Sequence, residues 1–166
     1  MINKSKAGGV FRIQCFDPNG NLKWEAESHN LVVNEGLQDM NTKYFKGAAY
    51  TAGWFIGLIS GSSPATIVST DTLASKGWTE FTTYSGNRQA AVFGTASTAD
   101  PSVISNTGSA ASFTIGIGGG NVAGAFLCAG ATGTPVLFSA SNFASSRSVS
   151  SGDTLNVTYT FSLAAA

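Results

Sequence analysis

Leu155-Asn156-Val157-Thr158-Tyr159-Thr160-Phe161-Ser162-Leu163 alternates apolar and polar side chains without a break. A period of two belongs to a strand with one buried face. Leu155, Val157, Tyr159, Phe161 and Leu163 are therefore expected to face a core, with Asn156, Thr158, Thr160 and Ser162 turned away. Burying such side chains stabilises by roughly 1.5–3 kcal/mol each before entropy is counted. Truncation at residue 153 is accordingly expected to unfold the chain.

Working outward, the same pattern returns in the second half at short spacing. Ala111, Phe113, Ile115 and Ile117 alternate with Ser112, Thr114 and Gly116. Residues 122–129 are small and apolar on both faces, as in a buried strand; residues 136–140 read as another strand, followed by a Ser-rich loop through Ser151. Short strands at this spacing indicate an all-β sandwich or jelly-roll-like fold. Near the start, Phe11, Ile13 and Cys15 alternate with Arg12 and Gln14, and Asp17-Pro18-Asn19-Gly20 supplies turn chemistry for a bulged hairpin. The returning strand places Leu22, Trp24 and Ala26 inward and Lys23, Glu25 and Glu27 outward. Residues 1–9 read as a loose arm with Ala7-Gly8-Gly9 as its hinge, whose Lys4 and Lys6 are candidate contacts to an acidic partner. Residues 10–166 form a single β-sandwich domain, with no internal repeat and no linker.

The middle of the chain carries one short amphipathic helix. After the short strand of Leu31, Val32 and Val33, Asn34 is expected to cap it, and Glu35 and Asp39 put negative charge near its positive end. Leu37, Met40 and Tyr44 recur at helical spacing and form one apolar face that must pack on a sheet. Lys43, Lys46 and Gly47 mark its end, so the helix spans about residues 35–46. Residues 54–59, led by Trp54, are apolar on both faces; this suits a central strand covered by the helix on one side and a second sheet on the other. Asp71-Thr72-Leu73-Ala74-Ser75 reads as a capped helical turn stopped by Gly77, presenting Trp78 at the start of a strand over residues 79–84. Ser85-Gly86-Asn87 turns the chain into a strand over residues 88–95.

Composition narrows the function. The chain has 166 residues and zero formal net charge; 11% of its residues are charged and 43% hydrophobic. Ordinary globular proteins carry about 25% charged residues. Residues 101–146 contain no charge at all, so this surface is weakly protected against association and fits burial in an assembly. The neutral balance argues against a basic nucleic-acid groove. The opening residues lack the apolar core of a secretory signal, and residues 122–138 are too interrupted to span a membrane. Cys15 and Cys128 sit in apolar strand patterns and read as free buried thiols.

Candidate chemistry is sparse. His29 is the one histidine, without a nucleophile elbow, and lacks any close pair of metal ligands. Ile115-Gly116-Ile117-Gly118-Gly119-Gly120-Asn121 lacks the ending of a phosphate loop and reads as a turn between strands. Asp71 and Glu80 lie near tryptophans on separate segments, and Asp71 is already assigned as a cap. No catalytic, cofactor or metal residue is assigned, and an enzyme with a cryptic triad is set aside.

The landmarks Asn30-Leu31-Val32-Val33-Asn34-Glu35-Gly36-Leu37, Trp54 with Gly57-Leu58, Asp71-Thr72-Leu73-Ala74-Ser75, Gly77-Trp78-Thr79-Glu80, Tyr84 and Arg88 resemble a group of small virion proteins of tailed bacteriophages. The resemblance implies a capsid decoration, or cement, protein, made in the bacterial host cytoplasm and carried on the capsid surface. It implies as partners the major capsid protein and further copies of the chain, as a dimer or trimer. No cofactor, nucleic acid or membrane is implied. The arm and the second-half loops are the expected contacts. The competing expectation is a tail-associated carbohydrate- or receptor-binding module in which Trp54, Trp78 or Tyr84 stacks on sugar rings. An exposed aromatic platform favours that module; burial of all three rings excludes it.

Overall fold

The structure, a computed structural model, describes residues 6–50, 53–62 and 66–165. Among the described residues, the strands form two antiparallel sheets laid face to face, with a single helix at one end. In the first sheet the hairpin of β1 (Lys6–Phe16) and β2 (Leu22–His29) pairs with the last strand, β11 (Thr154–Ala164). The far edge of β11 is shared: β7 (Ser102–Ser105) takes its C-terminal half and β8 (Ala111–Thr114) its N-terminal half. The second sheet runs β3 (Leu31–Val32), β10 (Leu137–Val149), β9 (Gly120–Cys128) and β4 (Phe55–Ser60). Two short strands, β5 (Glu80–Phe81) and β6 (Gln89–Ala90), pair with β4.

The alternation of β11 is realised where it matters: Leu155, Val157 and Tyr159 are buried between the sheets with Phe11, Ile13 and Phe113. Ile56, Leu58, Val122 and Leu127 meet them from the second sheet. A second apolar cluster lies on the outer face of that sheet, where Leu73 and Trp78 cover Ile59, Ala123, Phe126 and Leu137. The first turn is built as the sequence indicates. The Asp17 carboxylate accepts the backbone N–H groups of Asn19 and Asn21 at 2.9 and 2.8 Å, Gly20 takes φ 86°, and a bulge falls between Cys15 and Phe16.

Several expectations are corrected. Residues 6–9 are not part of an arm, because β11 continues to Ala164 and pairs Lys6, Ala7, Gly8 and Gly9 one by one. Lys4 lies outside the described residues. Leu22 is exposed at the start of an edge strand, while Ser28 goes inward and shares a 2.6 Å hydrogen bond with Ser141. The Ser-rich stretch after Ala140 is strand: Arg147, Ser148 and Val149 pair with Val122, Asn121 and Gly120. The ladder satisfies its backbone, so small polar side chains facing water are tolerated there. Ile117 falls in the turn after β8 and is fully exposed. The strands expected over residues 79–84 and 88–95 shrink to β5 and β6, and residues 71–75 form no helical turn: residues 73–75 bend, closed by backbone bonds between Thr72 and Ser75.

The helix α1 (Asn34–Lys46) ends as expected, with Lys43 and Lys46 in its last turn and Gly47 in the left-handed region at φ 64°. Its beginning differs. Val33 is the N-cap, without a side-chain cap bond, and Asn34 is already helical. The backbone N–H groups of Val33 and Asn34 go instead to Phe138 O and Ser69 O, at 3.1 and 2.8 Å. Glu35 accepts the Leu137 N–H at 2.8 Å and ties the helix to β10. The apolar face is also redistributed: Met40 packs on the core, whereas Leu37 and Tyr44 are exposed and Gly36 is the buried contact. The helix therefore packs on β10, and the outer face of β4 is covered by the loop carrying Leu73 and Trp78. Among the described residues, no helix is long and apolar enough to cross a membrane.

Candidate functional site

At the end of the sandwich where α1 sits, residues of both sheets and of the helix line an open groove of about 490 Å³. β11 contributes Tyr159 and Phe161 to it, β7 contributes Ile104, and the second sheet brings Leu127 and Phe138. The helix supplies Asp39, Met40, Lys43 and Tyr44, while Tyr50, Trp54 and Phe93 come from connecting segments. An apolar groove follows from the pattern of the strands. Their inward-facing residues continue to the sheet ends, beyond the point at which the opposite sheet covers them.

The rings support one another. Phe138 takes the edge-to-face contacts of Trp54 and Phe161, each with centroids 5.3 Å apart, and Phe93 meets Tyr159 at 6.3 Å. The indole N–H of Trp54 donates to the Tyr50 hydroxyl at 3.1 Å, which holds these two rings in a fixed relation. At the floor, the Tyr159 hydroxyl accepts from Asn30 Nδ2 at 2.7 Å and Ser139 Oγ at 3.2 Å, and burial raises its pKa well above the usual tyrosine value. The rim charges neutralise each other: Lys43 Nζ lies 3.3 Å from Asp39 and 5.5 Å from the centre of the Tyr50 ring. Beyond this rim Tyr44 and Phe45 stack edge to face at 4.9 Å and project into solvent, 82% and 77% exposed.

The residues singled out in the sequence separate accordingly. Met40, Tyr44 and Trp54 come together at the groove, and Leu37 lies exposed on the same helix. Lys6 begins β1, while Trp78 is remote from the groove and only 3% exposed. Trp78 donates its indole N–H to Asp71 at 3.1 Å; the same carboxylate oxygen accepts the Val68 N–H at 3.2 Å. Asp71 is thus a buried loop brace rather than a helix cap. Glu80 is held elsewhere, by both Nε and an Nη of Arg88 at 2.9 and 2.8 Å. The two acids consequently have separate partners and form no pair. Tyr84 is half-buried against Phe113. His29 is exposed at the end of β2. Among the described residues, no three His, Cys, Asp or Glu side chains gather as metal ligands.

Tyr50, Phe93, Ile104 and Phe161 complete the groove, and only Phe161 stands in a periodic pattern that identifies its direction. Tyr50 and Phe93 lie in irregular connections, where spacing carries no information about which way a side chain points. Comparison of the chain with known protein families, with curated proteins and with solved structures gave no match.

Proposed function

We propose that this protein is a virion structural protein of a tailed bacteriophage that binds the outer surface of the assembled capsid and stabilises it. The observation that carries this reading is the end of the sandwich opposite the groove. Three turns gather there, formed by residues 17–20, 116–119 and 150–152. The Gly152 N–H donates to Ile115 O at 2.9 Å, and the backbones at Gly119 and Val149 are in close contact. Ile117 forms the tip and is 95% exposed. Asp17 is the one charged residue of these turns, and its carboxylate is already occupied by the Asn19 and Asn21 amides. An apolar tip held on braced turns, in a chain half of which is almost free of charge, suits a surface that becomes covered.

A capsid-binding protein stabilises a shell because its contacts exist only while the shell is assembled; the effect is one of linkage and repeats at every copy. A body built of two cross-braced sheets limits the ordering cost of such binding. The deciding experiment is cryo-electron microscopy of phage particles carrying the protein. Density repeated over the icosahedral shell, with the Ile117 end against it, is the expected result. Equal binding to assembled capsids and unassembled capsid protein would overturn the proposal, as would density confined to the tail.

The second reading, a tail-associated carbohydrate- or receptor-binding module, is favoured by one observation: Trp54, Tyr44 and Tyr50 line an open groove. Sugar recognition also requires polar groups around the stacking ring. Here the two charged groups at the rim, Asp39 and Lys43, bind each other. Titration with oligosaccharides, comparing the wild type with Trp54→Ala, tests this reading.

A further inference from the structure

We infer that two copies of this chain pair about a two-fold axis through α1 and the aromatic groove, each inserting Tyr44 and Phe45 into the groove of the other. This inference concerns the isolated protein and does not rest on capsid binding. It starts from the helix. The stripe Leu37, Met40, Tyr44 has the spacing of a buried face, yet Met40 alone reaches the core; Leu37 and Tyr44 stay exposed, and Phe45 joins them. A helix that spends Gly36 and Glu35 on its own sheet and leaves its larger apolar side chains outside is left with an unpartnered face.

A two-fold contact uses one patch twice, so that patch must contain both a projection and a recess. Both are present here, side by side. The projection is the Tyr44–Phe45 pair, already fixed in an edge-to-face arrangement, and the recess is the groove whose rim Tyr44 borders. The area is sufficient. Tyr44, Phe45 and Tyr50 are 82%, 77% and 61% exposed. At about 150–250 Å² per aromatic side chain, these three offer on the order of 400 Å² per protomer. Because Tyr44 and Tyr50 also line the groove, the further groove surface covered on each partner is small, and the pair buries on the order of 1,000 Å² in total, at the lower end of specific interfaces.

Charge selects the same arrangement. Glu35 and Asp39 lie in the first half of α1, and Lys43 and Lys46 in its last turn. A two-fold axis across the helix sets two such helices antiparallel, opposing their dipoles favourably and turning the exposed Lys46 of one toward the acidic first half of the other. A parallel arrangement would align like charges. The groove itself contributes only the self-neutralised Asp39–Lys43 pair, so covering it strands no unpaired charge.

Sedimentation velocity of the full chain over a range of concentrations tests the inference. The wild type should sediment as a dimer. The double variant Tyr44→Ser, Phe45→Ser should raise the dissociation constant by about 100-fold or more, as expected for central aromatic anchors. Both side chains are solvent-exposed, so the circular dichroism spectrum of the variant should match that of the wild type. Lys46→Glu, which touches no core residue, should weaken the dimer by a smaller factor. A monomeric or trimeric wild type would overturn the inference, as would a dimer that persists in the double variant. A monomer that binds an oligosaccharide through Trp54 would also overturn it and assign the groove to a sugar.

Discussion

Gly36 of α1 lies directly against Phe138 of β10: a Cβ built on Gly36 would stand 2.5 Å from the Phe138 carbonyl oxygen and 2.8 Å from its Cα. Glycine is a poor helix former, and in an exposed helix Gly→Ala stabilises by about 1 kcal/mol. Here the obstacle is backbone of a paired strand, which cannot rotate away as a side chain would. Gly36→Ala should therefore destabilise the protein by about 1–3 kcal/mol, as overpacking does. Urea denaturation checks this; a midpoint equal to or above that of the wild type would show that the helix can move outward at no cost.

The Trp78–Asp71 bond makes a second prediction. Both side chains are buried, and the carboxylate accepts the indole N–H and the Val68 N–H. Trp78→Phe leaves one acceptor contact unmade and opens space over Phe126, whose ring is centred 5.1 Å away. The expected loss is about 2–4 kcal/mol, combining the unsatisfied buried carboxylate with the cavity. Asp71→Asn keeps the volume and an acceptor oxygen, so it should cost less, about 1–2 kcal/mol. Guanidinium unfolding of the two variants should rank them in this order. The reverse order would mean that the charge of Asp71, rather than the packing of the ring, holds the loop.

How much of this was legible depended on periodicity. β11 and residues 10–16 of β1 alternate, and residues 122–128 of β9 are apolar throughout; the all-β fold and most of the core follow from them, whereas Ala7-Gly8-Gly9 has no pattern that marks the start of β1 as strand. The first hairpin was legible because Asp17, Pro18, Asn19 and Gly20 each favour the same turn. Ile117 continues an alternation by sequence, but the chain turns away beside it, through Gly118 and Gly119 at φ 97° and 58°, and its side chain never reaches the core. The Ser-rich part of β10 has no apolar face to reveal it; only its ladder partner β9 makes it a strand. The spacing of Leu37 and Tyr44 points to a core stripe, but spacing identifies a stripe without identifying what covers it, and both are exposed. The groove was half legible for the same reason: Trp54 and Met40 belong to patterns, whereas Tyr50 and Phe93 do not.

The two cysteines give a third prediction. Both are buried and free. The Cys15 thiol is pushed up to about 11, first by burial and then by the charge of Asp153, whose Oδ2 lies 3.7 Å from the sulfur. Cys128 is also raised, chiefly by burial, and its S–H donates to Gly130 O at 3.3 Å. Since the thiolate is the reactive species, the Cys15 thiol is only about one part in a thousand ionised near pH 8, and burial disfavours the Cys128 thiolate in the same direction. Ellman's reagent should therefore titrate neither thiol in the native protein and both after unfolding in denaturant. Rapid reaction of one native thiol would locate a local opening of the sheet that carries it.

Asp153 carries the pH dependence. It is buried at the turn before β11, where its carboxylate meets Lys23 Nζ at 2.5 Å and the Ser150 N–H at 2.8 Å. Burial pushes its pKa up, but the Lys23 hydrogen bond, the Ser150 N–H and the charge of Lys23 outweigh this, and the folded value lies below the ordinary aspartate value. A folded pKa below the unfolded one means that the unfolded state binds more protons in acid. The stabilisation is therefore complete above the unfolded pKa of about 3.9 and is lost as pH falls through the folded value. Asp153→Asn should be less stable than the wild type by about 1–3 kcal/mol at neutral pH, since it gives up a charge-assisted bond and leaves Lys23 without its partner. The difference should stay constant down to about pH 5 and then shrink as the medium becomes more acidic, because protonation removes from the wild type what the substitution has already removed from the variant. Thermal unfolding of both proteins across this range reads the effect directly. A gap that persisted unchanged into strong acid would show that Asp153 acts through its hydrogen-bonding shape and not through its charge.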